Sequence, residues 1–302
     1  MNDLVSAVIT THNRKDFLIK ALHSVLEQTY QNMEIIVVDD KSTDGTREYM
    51  EEFVLTADKR YPIPVKYIYN SAGGGGNRAR NIGILEAKGE YVAFLDDDDE
   101  WMKEKTEEQV GYLKSHPDVG IVSCARVFEF DLKKRVEQDV DKLVDGDYHQ
   151  KIFEKIPFTT SCMMVRKSLL IQVGLFDEAL RYWQEYELLI RLCQQSEIGA
   201  VKKHLTLFRI NGQDKKRLTN NIDGWEEAVQ CIDTKHQALI EALPEDIRKS
   251  HRILIARDGA MRCENCGDNR RKREYLKRIL LLEPTLKNLI KFSLNRAKLR
   301  GN

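Results

Sequence analysis

The first hundred residues alternate between short apolar runs and segments whose apolar residues recur at helical spacing. No other feature restricts the fold as much. Val5 to Thr11, Glu34 to Asp40, Val65 to Tyr69 and Tyr91 to Leu95 read as strands apolar enough to be covered on both faces. Between them, Phe17, Leu18, Ala21, Leu22, Val25 and Leu26 recur at helical spacing. Thr46 to Phe53 and Ala79 to Ala87 read as further helices. Strand, helix, strand, helix requires parallel strands joined by crossovers. The predicted class is α/β, with a Rossmann-like, mostly parallel open sheet.

In such sheets ligands bind beyond the carboxyl ends of the strands. Polar residues gather at those ends: Thr10 to Arg14, Asp39 to Asp44, and the run Asp96-Asp97-Asp98-Asp99-Glu100. Neighbouring carboxylates repel, and the cost rises as water is excluded. A divalent cation relieves that repulsion through hard oxygen ligands, and would itself bridge the phosphates of a nucleotide. Asp39 and Asp40 suit hydrogen bonds from a base or ribose. The competing reading is a solvated acidic turn with Asp99 capping a following helix. Two acidic strand ends, with Arg14, Arg78 and Arg80 nearby, favour the ligand site.

The 48 basic and 48 acidic residues leave a formal net charge of zero over 302 residues. Without a global basic field, no nucleic-acid partner is expected. No apolar run approaches a membrane span, and the N-terminus shows no signal-peptide pattern. The six cysteines are scattered. Only Cys263 and Cys266 have metal or redox spacing, and no second pair completes a zinc site. Reduced thiols in a cytoplasmic protein are expected.

Four stretches together resemble the family 2 glycosyltransferases: Val5 to Arg14, Glu34 to Thr46, Ala79-Arg80-Asn81-Ile82-Gly83, and Gly89 to Trp101. The resemblance covers roughly residues 4–210. It implies a GT-A fold and an inverting enzyme using a nucleotide-sugar donor, with UDP-sugar favoured. It also implies a saccharide or lipid-linked acceptor, in surface polysaccharide biosynthesis. By the same resemblance Thr10, His12 and Arg14 border the nucleotide, His12 standing where Tyr is usual. Asp40 accepts from the base, with Asp39 beside it. Asp96-Asp97-Asp98 is similar to the D-x-D motif. Asp98 would hold Mn²⁺ or Mg²⁺, and Asp96 or Asp97 would contact ribose or donor sugar. Trp101 reads as a core anchor.

Gly73 to Gly76 cannot pack a core, and ordering them costs backbone entropy. They read as a loop lining the donor cleft, with Arg78 or Arg80 offsetting diphosphate charge. Helix-start hydrogen bonding is the plainer role for Arg80 and Asn81. In the second half, Thr159 to Val165 reads as a strand and Gln184 onward as a helix. Where the family usually has Glu-Asp, this chain has Gln184-Glu185. The expected general base is therefore Glu185, with Glu187 in reserve. A helix N-terminus merely complemented by Glu185 is the alternative.

The domain expected over residues 1–215 divides into a nucleotide-binding half, 1–105, and an acceptor half, 106–215. A helical region, 216–302, follows. There, Trp225, Val229, Ile232, His236, Leu239 and Leu243 suggest one helix, and Tyr275, Leu276, Ile279 and Leu280 another. His236 reads as packed. Residues 271–302 hold ten Lys or Arg against Glu274 and Glu283, a net of +8. Basic residues among Leu, Ile and Phe fit a helix at an anionic membrane surface. A solvated cap or a homodimer contact fits as well. Two rivals stand: a sugar-phosphate nucleotidyltransferase, which expects a Gly-rich, Arg-containing loop after the first strand, and a nucleotide- or glycan-binding module without turnover.

Overall fold

The computed structural model describes residues 3–57, 60–130, 134–143, 145–210 and 221–300. The boundary expected between 215 and 216 lies outside the described residues. Strands β1 (Val5–Thr11), β2 (Met33–Asp39), β3 (Val65–Tyr69) and β4 (Tyr91–Asp96) pair in parallel in the order β3-β2-β1-β4. Helices α1 (Lys15–Leu26), α2 (Thr46–Ala57) and α3 (Gly76–Glu86) make the crossovers. The expected open α/β sheet is present. Its central strands are largely apolar because both faces are covered: Val5, Ala7, Val8 and Ile9 of β1 are all at most 1% exposed.

Gly83 lets α3 lie tightly on β1. A Cβ there would stand 2.4 Å from a methyl carbon of Val8. This close approach brings the side chains of α3 over the carboxyl ends of β1 and β4.

Beyond β4 the chain forms β5 (Glu100–Trp101), α4 (Lys105–Ser115), β6 (Val119–Phe130), β7 (Lys134–Glu137), β8 (Met164–Arg166), α5 (Lys167–Gln172), α6 (Gln184–Cys193) and β9 (Glu197–Ile210). They extend the sheet to β3-β2-β1-β4-β8-β6-β9-β5, with β7 beside β6. Strand β8 is antiparallel to both β4 and β6, whereas β6 and β9 are parallel. The strand expected over Thr159 to Val165 is instead a 3₁₀ turn, Thr160–Cys162, leading into β8. Side chains rather than a ladder take the carbonyls there. Trp101 Nε1 donates to Ser161 O at 3.0 Å, and Gln109 Nε2 to Cys162 O at 2.8 Å. Trp101 is the expected buried anchor, with Lys105 Nζ 3.9 Å from its ring centroid.

The remaining chain forms α7 (Ile222–Lys235), α8 (Gln237–Ala242), α9 (Glu245–Cys266), α10 (Asn269–Leu282) and α11 (Leu286–Arg300). With the short segments 150–156 and 180–183 these helices form a second compact unit, separate from the sheet-containing one. Its core is Trp225, fully buried, with Trp183 edge-on at 5.2 Å and the Arg262 guanidinium over the ring at 5.3 Å. The single helix expected over 225–243 breaks at His236, whose φ of −104° and ψ of 17° end α7 and begin α8. His236 is buried, as its apolar neighbours imply. Cys263 and Cys266 lie one turn apart on α9, the first buried and the second exposed.

Candidate functional site

The register sets the site. Thr10 of β1 stands between Val38 of β2 and Asp96 of β4, and Thr11 lies beside Asp39. The three loops leaving these strands therefore meet. Asn13 and Lys41 hold them in left-handed backbone, at φ of 55° and 67°, a region sparsely used by residues with a Cβ. Hydrogen bonds over-determine that strain. The Asn13 N–H donates to Ser42 Oγ at 2.8 Å, and its Oδ1 accepts from the Thr43 N–H at 2.7 Å. His12 Nδ1 lies 2.7 Å from the Asp40 carbonyl, which ties the first loop to the second again. His12 is exposed and Thr10 partly so.

The two acids at the end of β2 differ in position. Asp39 is fully buried, accepting from the Ser42 N–H and the Tyr67 hydroxyl, both at 2.8 Å. Expected at the nucleotide, it lies beneath the site and shapes the turn. Burial, then that bond to Asp39, raises the Tyr67 hydroxyl pKa. Asp40 accepts from Asn70 Nδ2 and from the Gly75 N–H, both at 2.7 Å. The glycine loop is thereby pinned to the end of β2. Gly73, Gly74 and Gly75 all have positive φ, a path that side chains would oppose. Helix α3 begins at Gly76, three residues before the expected start.

The acid run separates into two pairs. Asp96 and Asp98 keep side chains 31% and 27% exposed. Asp97 and Asp99 turn inward. Asp97 accepts from Thr11 Oγ1 at 2.8 Å and pairs with Arg14 Nη1 at 3.2 Å. Burial and the neighbouring Asp98 push its carboxyl up to about 7, against the opposing pull of Arg14. Asp99 accepts from Ser161 Oγ at 2.6 Å and the Arg209 N–H at 3.1 Å, and burial raises its pKa well above the carboxylate range. It braces β4 against the 3₁₀ turn and β9; no helix is capped by it.

Two cations flank the run. Arg14 Nη1 also reaches Asp98 at 3.1 Å. Arg80, 8% exposed, donates from Nη2 to Asp96 at 2.6 Å and from Nη1 to Gln184 Oε1 at 2.8 Å. Phe176 lies under its guanidinium at 5.4 Å. Arg78 is exposed on α3. Asn81 instead clamps the segment before α6: its Nδ2 donates to Phe176 O at 2.9 Å and its Oδ1 accepts the Phe176 N–H at 2.9 Å. Glu185, partly exposed, sits in the first turn of α6 next to Gln184. Glu187 is fully buried, and both its oxygens accept from Arg191, at 2.9 and 2.6 Å. That ion pair removes Glu187 as an alternative base.

Ser161 and Arg209 are not singled out by sequence, and Gln184 stands out there only as the neighbour of Glu185. Their signal lies in partners 60 to 110 residues away, so no local pattern could carry it. Among the described residues no cluster of three or more His, Cys, Asp or Glu is placed to hold a metal ion. The partly exposed Asp96 and Asp98 carboxylates are nevertheless hard oxygen donors of the kind a divalent cation takes when phosphates and water complete its sphere. The residues present fit such an ion when a diphosphate is bound.

The sequence profile described as Glycosyl transferase family 2 matches residues 6–174, more than half of the chain. The chain belongs to glycosyltransferase family 2. The chain is 33% identical over 214 residues to an uncharacterized glycosyltransferase of Rickettsia conorii, covering 70% of this chain and 34% of the relative. It is 36% identical over 125 residues to TuaG of Bacillus subtilis, named for teichuronic acid biosynthesis, covering 41% of this chain and 45% of TuaG. The chain spans about a third of the length of the first curated relatives it matches. Among solved structures it is similar to Staphylococcus aureus TarS in complex with UDP-GlcNAc, with a TM-score of 0.68 at 18% identity, covering 92% of this chain and 81% of that one. A mannosyltransferase of Pyrobaculum calidifontis in complex with GDP-Man and Mn²⁺ gives 0.62 at 15% identity, covering 97% and 79%. The chain has the GT-A fold with C-terminal helices. No described helix is long and apolar enough to cross a membrane.

Proposed function

We propose that this glycosyltransferase moves a sugar, with inversion, from a nucleoside-diphosphate donor to a hydroxyl of a saccharide or lipid-linked acceptor in surface polysaccharide biosynthesis. UDP is the favoured nucleotide, in line with the TarS complex. One observation carries the reading. Arg80 joins Asp96, on the acidic rim, to Gln184, which adjoins Glu185. Donor-side charge and a candidate base are thus built on one connected frame.

In this reading the acceptor oxygen attacks the anomeric carbon as the bond from that carbon to the diphosphate oxygen breaks. Glu185 takes the acceptor proton, and the nucleoside diphosphate leaves with the bonding electron pair. Arg14 and Arg80 place positive charge where the leaving diphosphate gains negative charge, and Arg78 adds a further cation at the cleft. Thr10, His12 and Asp40 border the base and ribose, and Asp96, the more exposed of Asp96 and Asp97, the ribose or sugar. Asp98, with Asp96 near it, would hold Mn²⁺ or Mg²⁺, which when bound neutralises diphosphate charge. The setting proposed is the cytoplasm, with the basic C-terminal helices leaning on the inner face of the membrane. Self-association through those helices competes with that placement.

The test is turnover. Release of nucleoside diphosphate is followed over a panel of nucleotide sugars, for the wild type and for Glu185→Gln. The variant keeps size and polarity, so turnover should fall by roughly 10²–10⁴ while donor affinity by calorimetry is kept. Donor binding without turnover by the wild type, across acceptors, would favour a binding module instead.

A further inference from the structure

Helix α11 is built inside out. Among its described side chains the buried ones are Asn288 and Asn295, 8% and 4% exposed and two turns apart, with Phe292 half-buried under the Arg273 guanidinium. Those it turns outward are Leu286, Leu289, Ile290 and Leu294, 73%, 47%, 49% and 63% exposed. A helix at the edge of a water-soluble unit normally does the reverse. The inward face is not an optimised polar contact either. Asn288 Nδ2 donates to the Glu283 carbonyl at 2.9 Å, but neither amide atom of buried Asn295 finds a partner among the described residues. Burying that amide is unfavourable. The arrangement therefore makes sense if the outward leucines gain a cover. Leu281 of α10, 72% exposed, adds to the apolar surface of the same unit.

Charge points to the cover. Lys287 and Lys291, both exposed, lie one turn apart on this helix. Residues 286–300 contain five Lys or Arg and no Asp or Glu. A second copy packed on the same face about a two-fold axis would oppose cations to cations. An anionic lipid surface takes both features at once. The leucines enter the acyl boundary while the lysines reach headgroup phosphates.

We propose that the Leu286, Leu289, Ile290 and Leu294 face of α11 is a docking face for an anionic lipid bilayer. It lies in the interfacial plane and does not span. The proposal deepens the peripheral contact suggested above but stands on the faces of α11, so its failure leaves sugar transfer untouched.

The full chain is sedimented with vesicles of phosphatidylglycerol and phosphatidylcholine, and with phosphatidylcholine alone. Binding is expected to the anionic vesicles only, and to fade at high salt. Lys287→Glu with Lys291→Glu, and separately Leu289→Asp with Leu294→Asp, should each weaken it on the order of tenfold or more. All four side chains are exposed, so the circular dichroism spectrum should be unchanged. In Leu289→Trp, the added fluorescence should shift to the blue with anionic vesicles and not with neutral ones. Equal binding to neutral vesicles, no binding to either, or a dimer abolished by the leucine substitutions would each overturn the proposal.

Discussion

Arg80 and Gln184 are 104 residues apart in sequence, yet Arg80 Nη1 donates to Gln184 Oε1 at 2.8 Å. The other fork of the same guanidinium holds Asp96 at 2.6 Å. A guanidinium can make both bonds because its donors are fixed in one plane, which an ammonium on a flexible stem cannot reproduce.

Arg80→Lys should therefore keep the charge and lose the linkage. We expect kcat to fall by about 10²-fold through misplacement of Glu185, with a smaller rise in KM for the donor. Gln184→Ala, which removes only one arm, should lower kcat with little change in KM. Steady-state kinetics decide it: an unchanged kcat in both variants would disconnect the rim from the base.

Asp98→Asn should weaken Mn²⁺-dependent donor binding while leaving the melting temperature in place, because a residue on the rim adds little to the core. Calorimetric titration of nucleotide sugar with and without Mn²⁺ provides the measurement. Equal affinity and equal metal dependence in wild type and variant would take Asp98 out of the metal site.

Asp97 gives stability a pH signature. Its carboxyl is raised to about 7 in the fold, against about 3.9 in an unfolded chain. Between those values the folded state binds more protons, so this group's contribution is fullest below about pH 4 and is lost as pH rises to about 7. Within that window one extra bound proton gives a slope of about 1.4 kcal/mol for each step of one in pH. Asp97→Asn cannot ionise, and its stability relative to wild type should grow across that window. Urea melts at a series of pH values show this directly, and parallel curves would contradict it.

Gly83→Ala should destabilise the protein by about 1–3 kcal/mol, the usual cost of overpacking, since its Cβ would stand 2.4 Å from Val8 Cγ1. Lifting α3 from β1 also moves Arg80, so donor affinity should fall with stability. Pairing it with Val8→Ala makes room and should restore much of both. A stable Gly83→Ala with normal donor affinity would show that the close contact positions nothing.

Much of this is legible in the sequence because it is local. Strand and helix in the first half follow from apolar runs and helical spacing, and those patterns act within a few residues of chain. The strand-end motifs, the acid run and the cation pair Arg14 and Arg80 are visible for the same reason. Helix α9 is not. Only seven of its 22 residues are buried, and its charged sequence carries too weak an apolar period to announce a helix.

What the chain determined by itself is the identity of its elements and the placement of polar groups at the carboxyl ends of β1, β2 and β4. Which acid stays at the rim and which is buried was decided only by tertiary contact. Asp96 and Asp98 remain at the rim, while Asp97 is drawn in by Thr11 and Arg14 and Asp99 by Ser161 and Arg209. Apart from the family resemblance, four adjacent, chemically identical side chains give a sequence no means of ranking them. Their burial and protonation depend on partners that only chain crossing brings within hydrogen-bond reach, and desolvation acts on position in space rather than on position in the chain.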